Sequence, residues 1–218
     1  EEQNPGFGSI SDVAMSSNSL WYAVSNSGAI YPVSKKTESI TTITLNANIG
    51  IEGFWNGTSQ VSDTVTVELR SSISPFNFVD AAKTTLTTGT GFGTFEFNAA
   101  PAGSYYIVVK HRNSLETWSS VPVNMVSGGH YNYSFTSSAS QSYGSNTVLK
   151  LGRYCNYSGD VNQDDVIDGT DFVSVDNDAL IGVMGYVSTD LDGNGIVDGS
   201  DALIVDNNSS NYIIVMTP

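Results

Sequence analysis

Residues 159–172 read GDVNQDDVIDGTDF and residues 189–202 read TDLDGNGIVDGSDA. A shift of 30 positions superimposes Asp160 on Asp190, Asp168 on Asp198, Gly169 on Gly199 and Asp171 on Asp201. The match continues through Val175 and Val205, Asp176 and Asp206, and Asn177 and Asn207. Self-similarity at a fixed period marks an internal repeat. In each copy, oxygen-bearing side chains fall at positions 1, 3, 5, 9 and 12 of a loop, and position 7 offers a backbone carbonyl. The first set is Asp160, Asn162, Asp164, the Val166 carbonyl, Asp168 and Asp171. The second is Asp190, Asp192, Asn194, the Ile196 carbonyl, Asp198 and Asp201. A tight loop turns alternate side chains toward one centre, and a hard cation such as Ca²⁺ accepts six to eight oxygens at flexible angles. The pattern predicts two Ca²⁺ sites.

This is the spacing of an EF-hand loop. Gly195 supplies the sharp turn at position 6 of the second copy, where the first has Asp165, a residue that enters the left-handed region less readily. Position 12 is Asp in both copies instead of the Glu usual in helix-loop-helix sensors, which shortens the reach to the ion. With this departure, the tandem segments resemble the two calcium-loop-plus-helix halves of a type I dockerin module, over about residues 155–212. The resemblance implies helices at about 170–180 and 200–209 packed with approximate two-fold symmetry, and a cohesin-like partner protein. Phe172, Val175 and Leu180, then Leu203 and Ile204, offer apolar faces near helical spacing. Where dockerins carry partner-contacting groups, this chain has Gly169-Thr170 and Gly199-Ser200, and Asp176 and Asp206 on the helices, with no Lys or Arg there.

Charge isolates the same region. Of 22 acidic and 8 basic side chains, residues 1–154 hold 10 acids and every base, and residues 155–218 hold 12 acids and no base. Close carboxylates repel by about 1 kcal/mol per pair in water and more when desolvated, so something must neutralise them. Val161, Ile167, Phe172, Val175, Leu180, Ile181, Ile196, Leu203, Ile204 and Val205 interleave the acids, so the segment can build a core instead of an acidic tail.

Upstream, Ile43, Leu45, Ala47, Ile49 and Ile51 alternate with more polar neighbours. So do Val65, Val67 and Leu69, then Phe95 and Phe97, then Tyr105, Ile107 and Val109, then Tyr131, Tyr133 and Phe135. Short half-buried strands between turn residues predict a β-sandwich. The order of TVTVELR, GTFEFNAAPAGSYYIVVKH and ETWSSVPVNM resembles the carboxypeptidase-regulatory-like, transthyretin-type sandwiches of secreted bacterial proteins. Such sandwiches often stand beside a C-terminal dockerin-like module, which implies an extracellular role. The expected fold is mainly β: an N-terminal strand-bearing tail over 1–38, a Greek-key-type sandwich over 39–152, and a small helical dockerin-like module over 153–218.

The tail contains the strand-capable SLWYAVSNSGAIYPV, an orphan strand that needs a partner, and Tyr212 to Met216 is also apolar and extended. Either end can close its own sandwich or add a strand to a neighbour's sheet. The primary expectation is therefore a calcium-loaded extracellular structural or adhesive subunit, a homo-oligomer or filament joined through terminal strands. The alternatives are docking to a cohesin-like receptor and carbohydrate binding through Trp21, Trp55, Trp118 and eleven tyrosines.

Several classes are excluded or disfavoured. A net charge of −14 without a basic cluster repels nucleic acid. No apolar run approaches the ~20 residues of a membrane span, and the opening Glu1-Glu2, with no apolar leader, is read as a mature soluble product. Catalysis is not expected. Glu52, Asp63, Glu68 and Glu96 read as outward solvated carboxylates, His111 and His130 lack a nucleophile-elbow partner, and GTGFGTF over 89–95 reads as a hairpin turn. The lone Cys155 permits no intrachain disulfide and reads as a small buried hydrophobe.

Overall fold

The computed structural model describes residues 10–15, 21–25, 30–33 and 41–218. Two compact units result, Glu1–Ser39 and Ile40–Pro218. In the first, β1 (Ile10–Met15), β2 (Trp21–Ser25) and β3 (Ile30–Val33) pair antiparallel in the order β1-β2-β3. The strand-capable stretch around Trp21 thus finds partners within its own segment. The side chain of Trp21 lies outside the described residues.

The second unit begins with a sandwich. Its strands are β4 (Ile43–Asn48), β5 (Thr64–Ser71), β6 (Phe78–Thr85), β7 (Phe92–Phe97), β8 (Gly103–His111), β9 (Ser114–Trp118), β10 (Val123–Met125) and β11 (His130–Ser134). One sheet runs β10-β8-β5-β6 with β9 also on β8, and the other runs β11-β4-β7. Period-two alternation gives each strand one inward row. Ile43, Leu45 and Ala47 of β4, Val65, Val67 and Leu69 of β5, and Phe95 and Phe97 of β7 are all buried in one core. Each fully buried aliphatic or aromatic side chain stabilises by ~1.5–3 kcal/mol relative to exposure.

Two expectations need correction. A Greek key is antiparallel throughout, whereas β11 runs parallel to β4, with Tyr131 beside Leu45 and Tyr133 beside Ala47. The GTGFGTF stretch does hold a turn, but no hairpin: β6 pairs with β5 and β7 with β4, so the turn carries the chain from one sheet to the other.

A short hairpin, β12 (Val148–Lys150) and β13 (Arg153–Cys155), leads into the repeated segment. That segment contains β14 (Val166–Ile167), α1 (Gly169–Ile181), α2 (Gly199–Ser209) and β15 (Ile213–Ile214). Each helix starts at a capping box. Asp168 accepts from Thr170 N–H while Asp171 reaches back to the Asp168 N–H, and Asp198 and Asp201 repeat the arrangement. Reciprocal capping satisfies orphan donors at the first turn, which explains why each helix follows directly on its loop. Gly182, at φ 63°, ends α1.

A second apolar core holds Ile167, Val175, Leu191, Val197 and Val205 together with Leu115, which the sandwich supplies from β9. The expected inward faces are only partly right. Val175 is buried and Phe172 and Ile204 pack half-buried against this core, but Leu180 and Leu203 point outward, and α2 buries Val205 instead.

The C-terminal strand also differs from expectation. It neither closes the sandwich nor is left free for a neighbour. Ile213 and Ile214 pair with Ile167 and Val166 of the first loop. Thirty residues earlier, Met184 bridges Ile196 of the second loop, and Val197 N–H donates to the Val183 carbonyl at 2.8 Å. The segment after each helix therefore pairs with the loop of the other copy, and the two-fold exchange extends the repeat to residue 214.

Candidate metal centres

The second loop gathers its carboxylates. Oxygens of Asp190, Asp192 and Asp201 lie within 4.8 Å of one another, the only such acidic or His/Cys group among the described residues. Asp201 is fully buried: its Oδ1 accepts from the N–H groups of Leu191 (2.7 Å) and Asp192 (3.1 Å), and its Oδ2 from that of Asp198 (2.9 Å). Asn194 donates to Asp192 Oδ2, and Asn194 Oδ1 accepts from Ile196 N–H. Asp198 is exposed and spends Oδ1 on Ser200 N–H and Oγ, both at 2.7 Å, so it stands at the rim. These hydrogen bonds hold its carboxyl below the usual range.

The first loop repeats the wiring. Asp171 is fully buried, with Oδ1 accepting from Val161 and Asn162 N–H and Oδ2 from Asp168 N–H. Asn162 Nδ2 donates to Asp164 Oδ2 at 2.8 Å, and Val166 N–H donates to Asp164 Oδ1. Burial, then the neighbouring Asp171 charge, pushes the Asp160 carboxyl up to about 7. Burial also raises Asp171 and Asp201 above the ordinary range, despite their backbone donors.

The loops differ in strain. Gly193 and Gly195 take φ of 72° and 86° in the second, and Gln163 and Asp165 hold φ of 58° and 71° in the first. A non-glycine residue in the left-handed region costs ~1–2 kcal/mol, and the structure places two there instead of the one expected at Asp165.

The donor set suits a hard cation. Asp190 Oδ1 is buried with no hydrogen-bond partner, an arrangement that is costly unless a cation takes it. Asp190 Oδ2, by contrast, receives Gly195 N–H at 3.3 Å and the Arg112 guanidinium at 3.4 Å. Oxygen-only ligands at EF-hand spacing fit Ca²⁺ better than a transition metal.

Arg112 belongs to a junction absent from the sequence-based expectations. Its Nε donates to Asp63 Oδ2 at 2.9 Å, its Nη1 to the Val187 carbonyl, and its guanidinium lies 4.4 Å from the Tyr186 ring centroid. Asp63 also accepts from Tyr186 Oη at 2.6 Å and faces His111 Nε2 at 3.1 Å. Burial alone would raise Asp63; the hydrogen bonds from His111, Tyr186 and Arg112 outweigh it and hold the carboxyl far below its ordinary value. Nearby, Asn113 Nδ2 donates to the Asp190 carbonyl at 2.8 Å, and Glu52 Oε2 accepts from Ser158 N–H and Asn208 Nδ2. A cleft of about 260 Å³ opens beside Asp190, lined by Phe54, Asp63, Arg112, Tyr186 and Asn194 among others.

Glu52 and Asp63 are therefore buried tethers, not solvated carboxylates. Glu68 pairs with Arg70 at 2.7 Å and Glu96 is exposed on β7. His111 is packed edge-on against Phe54. Trp118 is buried among Phe76 and Tyr106, and Trp55 lies under Arg153. Cys155 is buried and its thiol is pushed up to about 12 by desolvation, which makes it inert.

No protein-family model matches the chain, and no curated protein matches it. Two crystal structures of type II Cohesin-X-Dockerin complexes from Acetivibrio cellulolyticus contain similar chains, one from an N-terminal and one from a C-terminal interface mutant. Both are 18% identical over 79% of this chain and 99% of theirs, with TM-scores of 0.43 and 0.44.

Proposed function

We propose that the repeated segment is a dockerin-like module that binds two Ca²⁺ and docks an extracellular protein partner, with the sandwich as its rigid support. The role is one of binding, not catalysis. The observation that carries this reading is the outward face of the helices. Val173, Leu180 and Ile181 lie on one stripe of α1 and are 55%, 83% and 76% exposed, and Leu203, the repeat equivalent of Val173, is 61% exposed on α2. Large apolar side chains clustered in the open mark an interaction surface. With 12 acids and no base over residues 155–218, the complementary partner has an apolar patch with a basic rim, the chemistry expected of a cohesin-like receptor matched to this module. Recognition would rest on apolar contact, because these helices lack Lys and Arg.

Two Ca²⁺ would offset four of those negative charges. A ligand at 100 times its Kd adds ~2.7 kcal/mol to the folded state. Asp190, Asp192, Asn194 and Asp201, with the Ile196 carbonyl, would hold one ion, and Asp198 would act through water at the rim. Asp160, Asn162, Asp164, Asp168, Asp171 and the Val166 carbonyl would hold the other.

Self-association through terminal strands is the weaker reading, since β15 is committed to the first loop. It now rests on the edge strands β1 and β3 alone. Among the described residues no helix is long and apolar enough to cross a membrane. Calorimetric titration of the chain with a panel of cohesin domains, in Ca²⁺ and in EDTA, tests the docking reading. A one-to-one complex that EDTA abolishes supports it. Absence of any complex, with filaments visible by electron microscopy, overturns it in favour of assembly.

A further inference from the structure

The two loops share one ligand pattern but not one environment. Asp160, at position 1 of the first loop, has its Oδ1 taken by Asp164 N–H at 3.1 Å, and among the described residues no basic side chain pairs with it. Asp190, at position 1 of the second, has its Oδ2 held by Arg112 and Gly195 N–H, which leaves Oδ1 buried and unpartnered. Arg112 comes from the sandwich, one residue beyond β8.

We propose that Arg112 is a positioning residue for the second metal site: it fixes the Asp190 carboxylate with one oxygen turned to the ion, so that the second loop takes Ca²⁺ more tightly than the first. The inference rests on the two-ion reading above. A guanidinium near a metal ligand has opposing effects, since it orients the carboxylate and repels the incoming cation. Orientation prevails here because the Arg112 charge is already matched by Asp63 at 2.9 Å. The pair as a whole is nearly neutral toward the ion, and the hydrogen-bond geometry remains. Asp63 is itself fixed by Tyr186 Oη and His111, so the support is rigid. Hydrogen-bonded partners of metal ligands typically change affinity 10–100-fold when removed. The first loop lacks such a partner and also holds Gln163 and Asp165 in the left-handed region where the second has glycines. Both differences act in the same direction, and they make filling sequential.

Competitive-chelator titration of the full chain with Ca²⁺ tests this. Two affinity classes separated by at least about 10-fold are expected, the tight one lost in Asp190→Asn and the weak one in Asp160→Asn. Arg112→Gln should weaken the tight class by about 10–100-fold and leave the weak class unchanged, which also shows that the module remains folded. If Arg112→Gln fails to fold, Arg112→Lys decides: its single ammonium cannot bridge Asp63, the Val187 carbonyl and Asp190 together, so a selective loss in the tight class supports the proposal and wild-type affinity overturns it. An unchanged or tighter second site in Arg112→Gln overturns the role of Arg112 while leaving the two-ion reading intact. A wild-type chain that takes up no Ca²⁺ refutes the two-ion reading itself, and this inference with it.

Discussion

Val166 pairs antiparallel with Ile214, so the last strand of the chain is bonded to position 7 of the first loop. The contact is reinforced where Val215 N–H donates to the Asp165 carbonyl at 2.9 Å, against one of the two residues held at positive φ. Removing residues 212–218 takes away this brace. The expected result is a loss of about 2 kcal/mol in stability and faster hydrogen exchange confined to the first loop, with the second loop unaffected. Equal loosening of both loops would contradict the exchanged pairing.

Leu115 stands on a sandwich strand yet completes the core around Val175, Leu191 and Val205. Leu115→Ala should cost ~2–5 kcal/mol, and chemical denaturation should show sandwich and helices unfolding in one transition. Separate transitions would mean that the two layers fold independently.

Much of this was legible in the sequence because two periodicities are strong. Period-two alternation located β4, β5, β7, β8 and β11 but not β6, β9 and β10, and the 30-residue repeat placed both loops and both helices to within a residue or two. The last stretch was legible as extended but its pairing was not: Val183-Met184 and Ile213-Ile214 occupy equivalent positions of the repeat, and apolar similarity without identity hid that each pairs with a loop. Burial of Glu52 and Asp63 was illegible for another reason. Each carboxylate is satisfied by groups far away in the chain, Asn208 for the first and Tyr186 for the second, and no local pattern announces such a partner. Leu180 and Leu203 misled because an apolar residue at helical spacing reads as core whether it faces inward or outward.

Acid should weaken the junction. Burial, outweighing the Asp63 carboxylate beside it, holds His111 below its ordinary value of 6.5. The folded state then binds fewer protons than the unfolded one, so this contribution is complete above pH 6.5 and is lost as pH falls through the lowered value. Asp63, also depressed, adds a further loss at lower pH, below its ordinary 3.8. Asp160, raised to about 7, acts in the opposite direction over the same range, so the share of His111 is read as a difference: from pH 8 to pH 5 the urea midpoint of His111→Gln should lose less, or gain more, than that of the wild type. Identical slopes in both proteins would refute the assignment.

The outward helical stripe should be dispensable for folding and needed for docking. Leu180→Asp with Ile181→Asp changes two residues that are 83% and 76% exposed, so stability should move by no more than about 0.5 kcal/mol per site. Affinity for a cohesin-like partner should fall at least about 10-fold, since the substitution places charge in an apolar contact. Unchanged affinity, measured by calorimetry, would move the docking surface elsewhere.

The most direct test of the account is the calcium content of the two loops. Metal-stripped chain titrated with Ca²⁺ and followed by residue-resolved hydrogen exchange should bind two ions per chain and gain protection over residues 160–171 and 190–201. Full protection of both loops without any bound divalent ion would contradict it.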